Sequence, residues 1–152
     1  MPNELNHIIV HCRDRRESAA FLAELLGGPA PCDWGLFTQV DTANNVGIDF
    51  TDALVPPDRI NESHLAFLVT DDEFDGILAR LNDQAITYWA DPQKSEEGEI
   101  NHLFGGRGLC SRSRRHGSDR IHHRPLSLLL TEGFCHQGWG RLKPESDAEP
   151  EI

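Results

Sequence analysis

The feature that most constrains this chain is an internal repeat, because self-similarity fixes an architecture more tightly than any single propensity does. In the first copy Leu5-Asn-His-Ile-Ile-Val-His-Cys12 reads as a strand. Asp14-Arg-Arg-Glu17 then supplies the cap-and-glutamate pattern that satisfies free N–H groups at a helix start. Phe21, Leu22, Leu25 and Leu26 form its apolar stripe, which Gly27 and Gly28 close. In the second copy His64-Leu-Ala-Phe-Leu-Val69 reads as a strand, Thr70-Asp-Asp-Glu73 as a capping box, and Phe74, Ile77, Leu78 and Leu81 as the stripe.

Extended pieces follow each helix. In the first half they are residues 34–40 and 45–50, joined by the turn-rich Asp41-Thr-Ala-Asn44. In the second half they are residues 85–89 and a stretch over 102–110, separated by the polar loop 91–98. Each half reads strand, helix, then strands. Two such units, each too small to bury its own sheet face, are expected to pack side by side in an α+β fold and enclose a cleft. The modules divide at residues 1–56 and 57–110, and residues 111–152 are expected to form an atypical, largely disordered tail.

The chemistry points to the histidines. His7 precedes its cap Asp14 by seven residues and His64 precedes its cap Thr70 by six, so the two occupy nearly equivalent places. A pseudo-two-fold relation would turn equivalent inward positions towards one another, and two imidazoles far apart in sequence could then share one divalent metal. Asp49, flanked by apolar residues in Val46-Gly-Ile-Asp-Phe50, needs a partner if it is buried. Each has a plainer alternative: a strand histidine can be a hydrogen-bonded core or rim residue, and Asp49 can face solvent on an edge strand. His11 alternates with Ile9 and reads as exposed, and Cys12 reads as a small core residue. Tyr88 and Trp89 read as cleft-wall or core aromatics, with Tyr88 a candidate substrate contact. Gly105, Gly106 and Gly108 resemble part of a phosphate loop but open no helix.

Composition narrows the partners. The chain has 152 residues and a formal net charge of −11, enough for one domain with a real core and the wrong sign for nucleic acid or anionic lipid. No run is long and apolar enough to span a bilayer, and the N-terminal residues lack a signal-peptide pattern, so a cytoplasmic location and a small-molecule partner are expected. Cys12, Cys32, Cys110 and Cys135 are too widely spaced for a zinc ribbon or disulfide framework. The charge is uneven: residues 1–106 carry 19 acidic and 6 basic side chains, residues 107–152 only 6 acidic and 8 basic. Residues 110–125 have no apolar period and read as loop or disorder, and the last nine form an acidic tail expected to fray.

With His7-Ile-Ile-Val-His-Cys-Arg-Asp14, Phe21-Leu-Ala-Glu-Leu-Leu-Gly27, Val46-Gly-Ile-Asp-Phe50 and Ser63-His-Leu-Ala-Phe-Leu-Val69, the chain resembles the vicinal oxygen chelate superfamily of glyoxalases, bleomycin-resistance proteins and extradiol dioxygenases. The resemblance covers roughly residues 5–108. It implies an α+β fold of paired βαβββ modules forming a curled sheet around a cleft, a divalent metal (Fe, Mn, Zn or Ni) and, often, a homodimer. It places His7, Asp49 and His64 at metal-ligand positions, Asp49 standing where the family has Glu, and suggests His102 and Arg107 as substrate contacts. The implied activity is that of a metal-dependent dioxygenase, lyase or isomerase on a small oxygen-chelating substrate. The competing function is drug sequestration without a catalytic metal.

The pattern breaks after Gly108, where the family's Asp-Pro-Asp-Gly turn and Glu-bearing last strand are missing. The second module is therefore expected to be incomplete or divergent. A reading-frame shift is one account, since Arg112-Ser-Arg-Arg-His116 can be encoded so that moving one base yields that turn. Loss of the last strand would expose a sheet edge, weaken metal binding and leave a marginally stable protein with impaired activity. The rival account lets residues 126–131 close the sheet after a long insertion, with Glu132 replacing the missing ligand.

Overall fold

The computed structural model describes residues 3–112 and 127–132. The first module runs β1 (His7–His11), α1 (Arg15–Leu26), β2 (Cys32–Trp34), β3 (Phe37–Asp41) and β4 (Gly47–Thr51). The second runs β5 (His64–Val69), α2 (Asp71–Asp83), β6 (Tyr88–Trp89), β7 (Gly108–Arg112) and β8 (Ser127–Glu132). The first sheet has the order β1-β4-β3-β2 and the second β5-β8-β7-β6, so the two copies share one topology. In each, the first strand pairs parallel with the last and the remaining pairings are antiparallel. The fold is α+β, with a curled, unclosed sheet.

Local chemistry explains the helix ends. Asp14 accepts the Glu17 N–H at 2.8 Å to start α1, and Gly27, at φ 69°, ends it in the left-handed region that glycine enters without a Cβ penalty. α2 starts on a reciprocal box: Thr70 Oγ1 accepts from the Glu73 N–H while the Glu73 carboxylate accepts from the Thr70 N–H. Both apolar stripes turn inward. Leu22 and Leu25 from α1 join Phe74, Ile77 and Leu81 from α2 in a core that also takes Val10, Ile48, Phe50 and Leu109 from the sheets. Arg80 ties the helices together, its Nε donating to the carbonyl of Leu25 at 2.9 Å in the last turn of α1.

Two expectations change. The extended piece at 34–40 is two strands, because Gly35, at φ 52°, turns the chain between Trp34 and Phe37. The second module is divergent without lacking a strand: β8 lies beside β5, as the rival account required, across a long connection from β7. The expected fraying of the last nine residues and the thiol of Cys135 fall outside the described residues.

Candidate functional site

Strand alternation sorts the first sheet into two faces. Ile8 and Val10 pack against the helical core, which leaves His7, Ile9 and His11 on the opposite, open face. The β1–β4 register sets Gly47, Asp49 and Thr51 against those three, and β3 places Gln39 beside Asp49. Gly47 leaves room for the Gln39 side chain: a Cβ there would stand 2.8 Å from Gln39 Nε2. That amide donates to Asp41 Oδ1 at 2.7 Å.

Asp49 is the anomaly of this face. It is 3% exposed, and its Oδ1 is buried with no hydrogen-bond partner among the described residues. A buried carboxylate oxygen with nothing to accept from is costly unless a cation or donor arrives from outside. His7 is exposed and its Nδ1 lies 2.8 Å from Asn6 Oδ1, an amide oxygen that can accept from Nδ1–H. Cys12, on the helix-facing side, is no nucleophile, because burial pushes its thiol up to about 11.

The second sheet obeys the same alternation. Leu65, Phe67 and Val69 pack against the core, so His64, Ala66 and Leu68 form the open set. Through the ladder, Ala66 is level with Leu129, Cys110 and Trp89, and His64 with Ser127 and Arg112. Glu132 is level with Val69, in the other set. β8 therefore adds a strand beside β5 but places no carboxylate in register with the His64 set.

The remaining predicted residues separate. Tyr88 packs against the core and pairs with Ser111 in the helix-facing set, whereas Trp89 belongs with His64. Arg107 is engaged on α2: its guanidinium lies 2.6 Å from Asp75 and 4.6 Å from the Phe74 ring centroid. His102 is exposed at the start of a short 3₁₀ turn before β7. Sequence reasoning missed His11, which is half-buried rather than exposed, its Nδ1 buried and without a partner among the described residues. Its parity with His7 was the available signal.

The paired modules with their parallel first-and-last strands define a class, and comparison with known proteins agrees: the chain belongs to the vicinal oxygen chelate superfamily. It is 30% identical over 101 residues to glutathione transferase FosA of Serratia marcescens, covering 64% of this chain and 70% of that protein. Among solved structures it resembles oxidase ChaP-H1, with TM-score 0.77 and 38% identity over 90% of this chain and 100% of that one. Oxidase ChaP-H2 follows at TM-score 0.76 and 35% identity, covering 90% of this chain and 98% of its own. FosX of Listeria monocytogenes, at 17% identity and TM-score 0.59, covers 88% and 96% and shares the fold. No protein-family model matches the chain.

The family implies a divalent metal, and the donor chemistry here suits one: two imidazoles and a carboxylate whose oxygen is otherwise orphaned. The three sit on two sheets, His7 and Asp49 on the first and His64 on the second. Among the described residues no group of three or more His, Cys, Asp or Glu side chains is placed to hold a metal ion.

Proposed function

We propose that the protein is a metal-dependent enzyme of the glyoxalase or dioxygenase type acting on a small oxygen-chelating substrate, with His7, Asp49 and His64 as ligands to Fe, Mn, Zn or Ni. The observation that carries this reading is the buried, unpartnered Oδ1 of Asp49 on the same face as His7. A homodimer completes the site, the first sheet of one copy meeting the second sheet of the other. Two facts support that arrangement: the donors divide between the sheets, and both open faces expose apolar side chains, Ile9 at 45% and Leu68 at 60%.

Two imidazoles and one carboxylate leave positions open for substrate on a bound ion, which would supply Lewis-acid polarisation of a substrate oxygen. The chain's own residues do the rest. Trp89, in the His64 set, forms the aromatic wall in place of Tyr88, and His102 stands as an outer contact. Arg107, whose guanidinium meets Asp75 on α2, stands as a second outer contact. Net charge argues against nucleic acid as a partner, and among the described residues no helix is long and apolar enough to cross a membrane; a cytoplasmic location fits both. A second reading, small-molecule sequestration without a catalytic metal, draws on the absence of a carboxylate in register with His64 on β8.

Metal analysis of protein purified without chelator tests the proposal. The expected result is about one metal per chain, lost in both His7→Ala and His64→Ala, and regained in part when the two variants are mixed so that hybrid dimers keep one intact site. Metal-free wild type, or uptake unchanged in His64→Ala, favours sequestration.

A further inference from the structure

The second sheet runs β5-β8-β7-β6, so β5 and β6 are its two edges, about 14 Å apart at three strand spacings. Glu62 enters at the first edge, two residues before β5, and Lys94 follows the second, five residues after β6. The two nevertheless meet: Lys94 Nζ lies 3.6 Å from a Glu62 carboxylate oxygen and 5.8 Å from the centroid of the Trp89 ring. Trp89 stands in the open set with His64. The ammonium therefore lies over the open face, where segments from opposite edges come together, and a cation above an indole gains from the negative face of the ring.

Exposure follows this arrangement. On β5 Ala66 and Leu68 are exposed, whereas in the same set Trp89 is half-buried and Cys110 on β7 is fully buried, although Cys110 stands outside the helix-packed core. The face is accessible along β5 and screened towards β6 and β7. The loop that carries Lys94 is braced within itself. Asp91 Oδ2 accepts from the Ser95 N–H at 3.1 Å and from its hydroxyl at 2.7 Å, the Ala90 N–H donates to the Glu96 carbonyl at 3.0 Å, and the Gly98 N–H donates to the Tyr88 carbonyl at 2.8 Å. Lys94 itself is held at φ 63°, a left-handed conformation that a lysine keeps only where its surroundings fix it. Its tie to the opposite edge is an ion pair between partly exposed groups, a kind that dissolved salt screens.

We propose that loop 91–98 is a strap over the Trp89 face, latched across the sheet by Lys94 and Glu62, and that release of this ion pair uncovers the indole. A molecule that stacks on Trp89 competes with the ammonium for the ring, so the strap sets when that wall can be reached. The inference rests on the reading above only in taking Trp89 as a wall for a small molecule; the strap itself needs no metal ion.

Acrylamide quenching of Trp89 fluorescence tests the strap, in full-length protein whose other tryptophans are replaced by Trp34→Phe and Trp139→Phe. In that parent, Glu62→Gln and Lys94→Gln are each expected to raise the quenching constant roughly two- to fivefold, the range open to a partly exposed ion pair, whereas Lys94→Arg keeps the charge and stays near the parent value. Raising NaCl from about 0.05 M to about 1 M is expected to increase quenching in the parent and in Lys94→Arg, and to leave both Gln variants unchanged. Quenching that does not rise in either Gln variant, or a parent insensitive to salt, overturns the strap. The readout uses no metal ion, so its failure leaves the metal-site reading to its own test, and wild type that binds no metal leaves the strap standing.

Discussion

The two modules repeat one topology and differ in what they place on their open faces. The first sheet presents His7, His11, Gln39, Asp49 and Thr51, a polar surface with two unpartnered buried atoms. The second presents His64 with Ala66 and Leu68, and Trp89 at its far edge. The helix-facing positions of both modules carry the apolar side chains that the shared core demands, and the open positions differ between them. The open positions of the first sheet are donor-rich, whereas those of β5 are apolar apart from His64. The helices diverged at their ends as well: α1 closes on Gly27, whereas the residue that turns the chain after α2 is Ala85, at φ 50°.

The largest effect should fall where the modules do not differ. Phe50 and Phe74, one from each module and both fully buried, belong to one core. Phe50→Ala and Phe74→Ala should each cost about 3–5 kcal/mol and lower the midpoint of one cooperative denaturant transition. Two separable transitions would show that the modules fold independently and break the comparison.

Next comes the open face. In metal-free protein, Asp49→Leu should raise stability by about 1–3 kcal/mol, because it removes a buried oxygen with nothing to accept from. The same variant should lose metal uptake. Destabilisation of the metal-free form would mean that the carboxylate has a structural partner.

The helix starts should separate the modules more finely. Asp14→Ala and Thr70→Ala should each cost about 1 kcal/mol, with Thr70 the larger because its box satisfies donors in both directions. The Glu73 carboxyl is held below the usual glutamate range by the Thr70 N–H and then the Thr70 hydroxyl. Its contribution is therefore present above the unfolded value and lost as pH falls through the folded one, so an acid titration of Glu73→Ala should be flatter there than that of wild type. The smallest effect is expected at the helix end: Ala85→Gly should stabilise by up to about 1 kcal/mol, because it relieves a non-glycine residue in the left-handed region. Thermal melts of Ala85→Gly and Gly27→Ala should shift in opposite directions.

Much of this comparison was legible in the chain itself. The caps at Asp14 and Thr70, the strands at His7 and His64 and the repeat they define follow from side-chain hydrogen bonding and apolar period, which are local properties. The division of Tyr88 from Trp89 was not legible, because a two-residue strand is too short to display a period. The half-burial of His11 depends on what neighbouring strands place beside it, which β1 alone does not state. β8 follows a stretch that reads as loop, and the apolar run at 126–131 gains its place only by pairing with β5 and β7, a long-range choice. The frame-shift account of that segment stays with the coding DNA: codons over residues 112–116 that cannot yield Asp-Pro-Asp-Gly one base along remove it.

The central claim is that His7, Asp49 and His64 hold one ion between them. X-ray absorption at the zinc edge, on full-length protein carrying one equivalent of Zn²⁺, tests this most directly. The account predicts two imidazole nitrogens at about 2.0–2.1 Å with oxygen completing the shell, and one imidazole fewer in His64→Ala. A shell of oxygen alone, or one unchanged by His64→Ala, would contradict it.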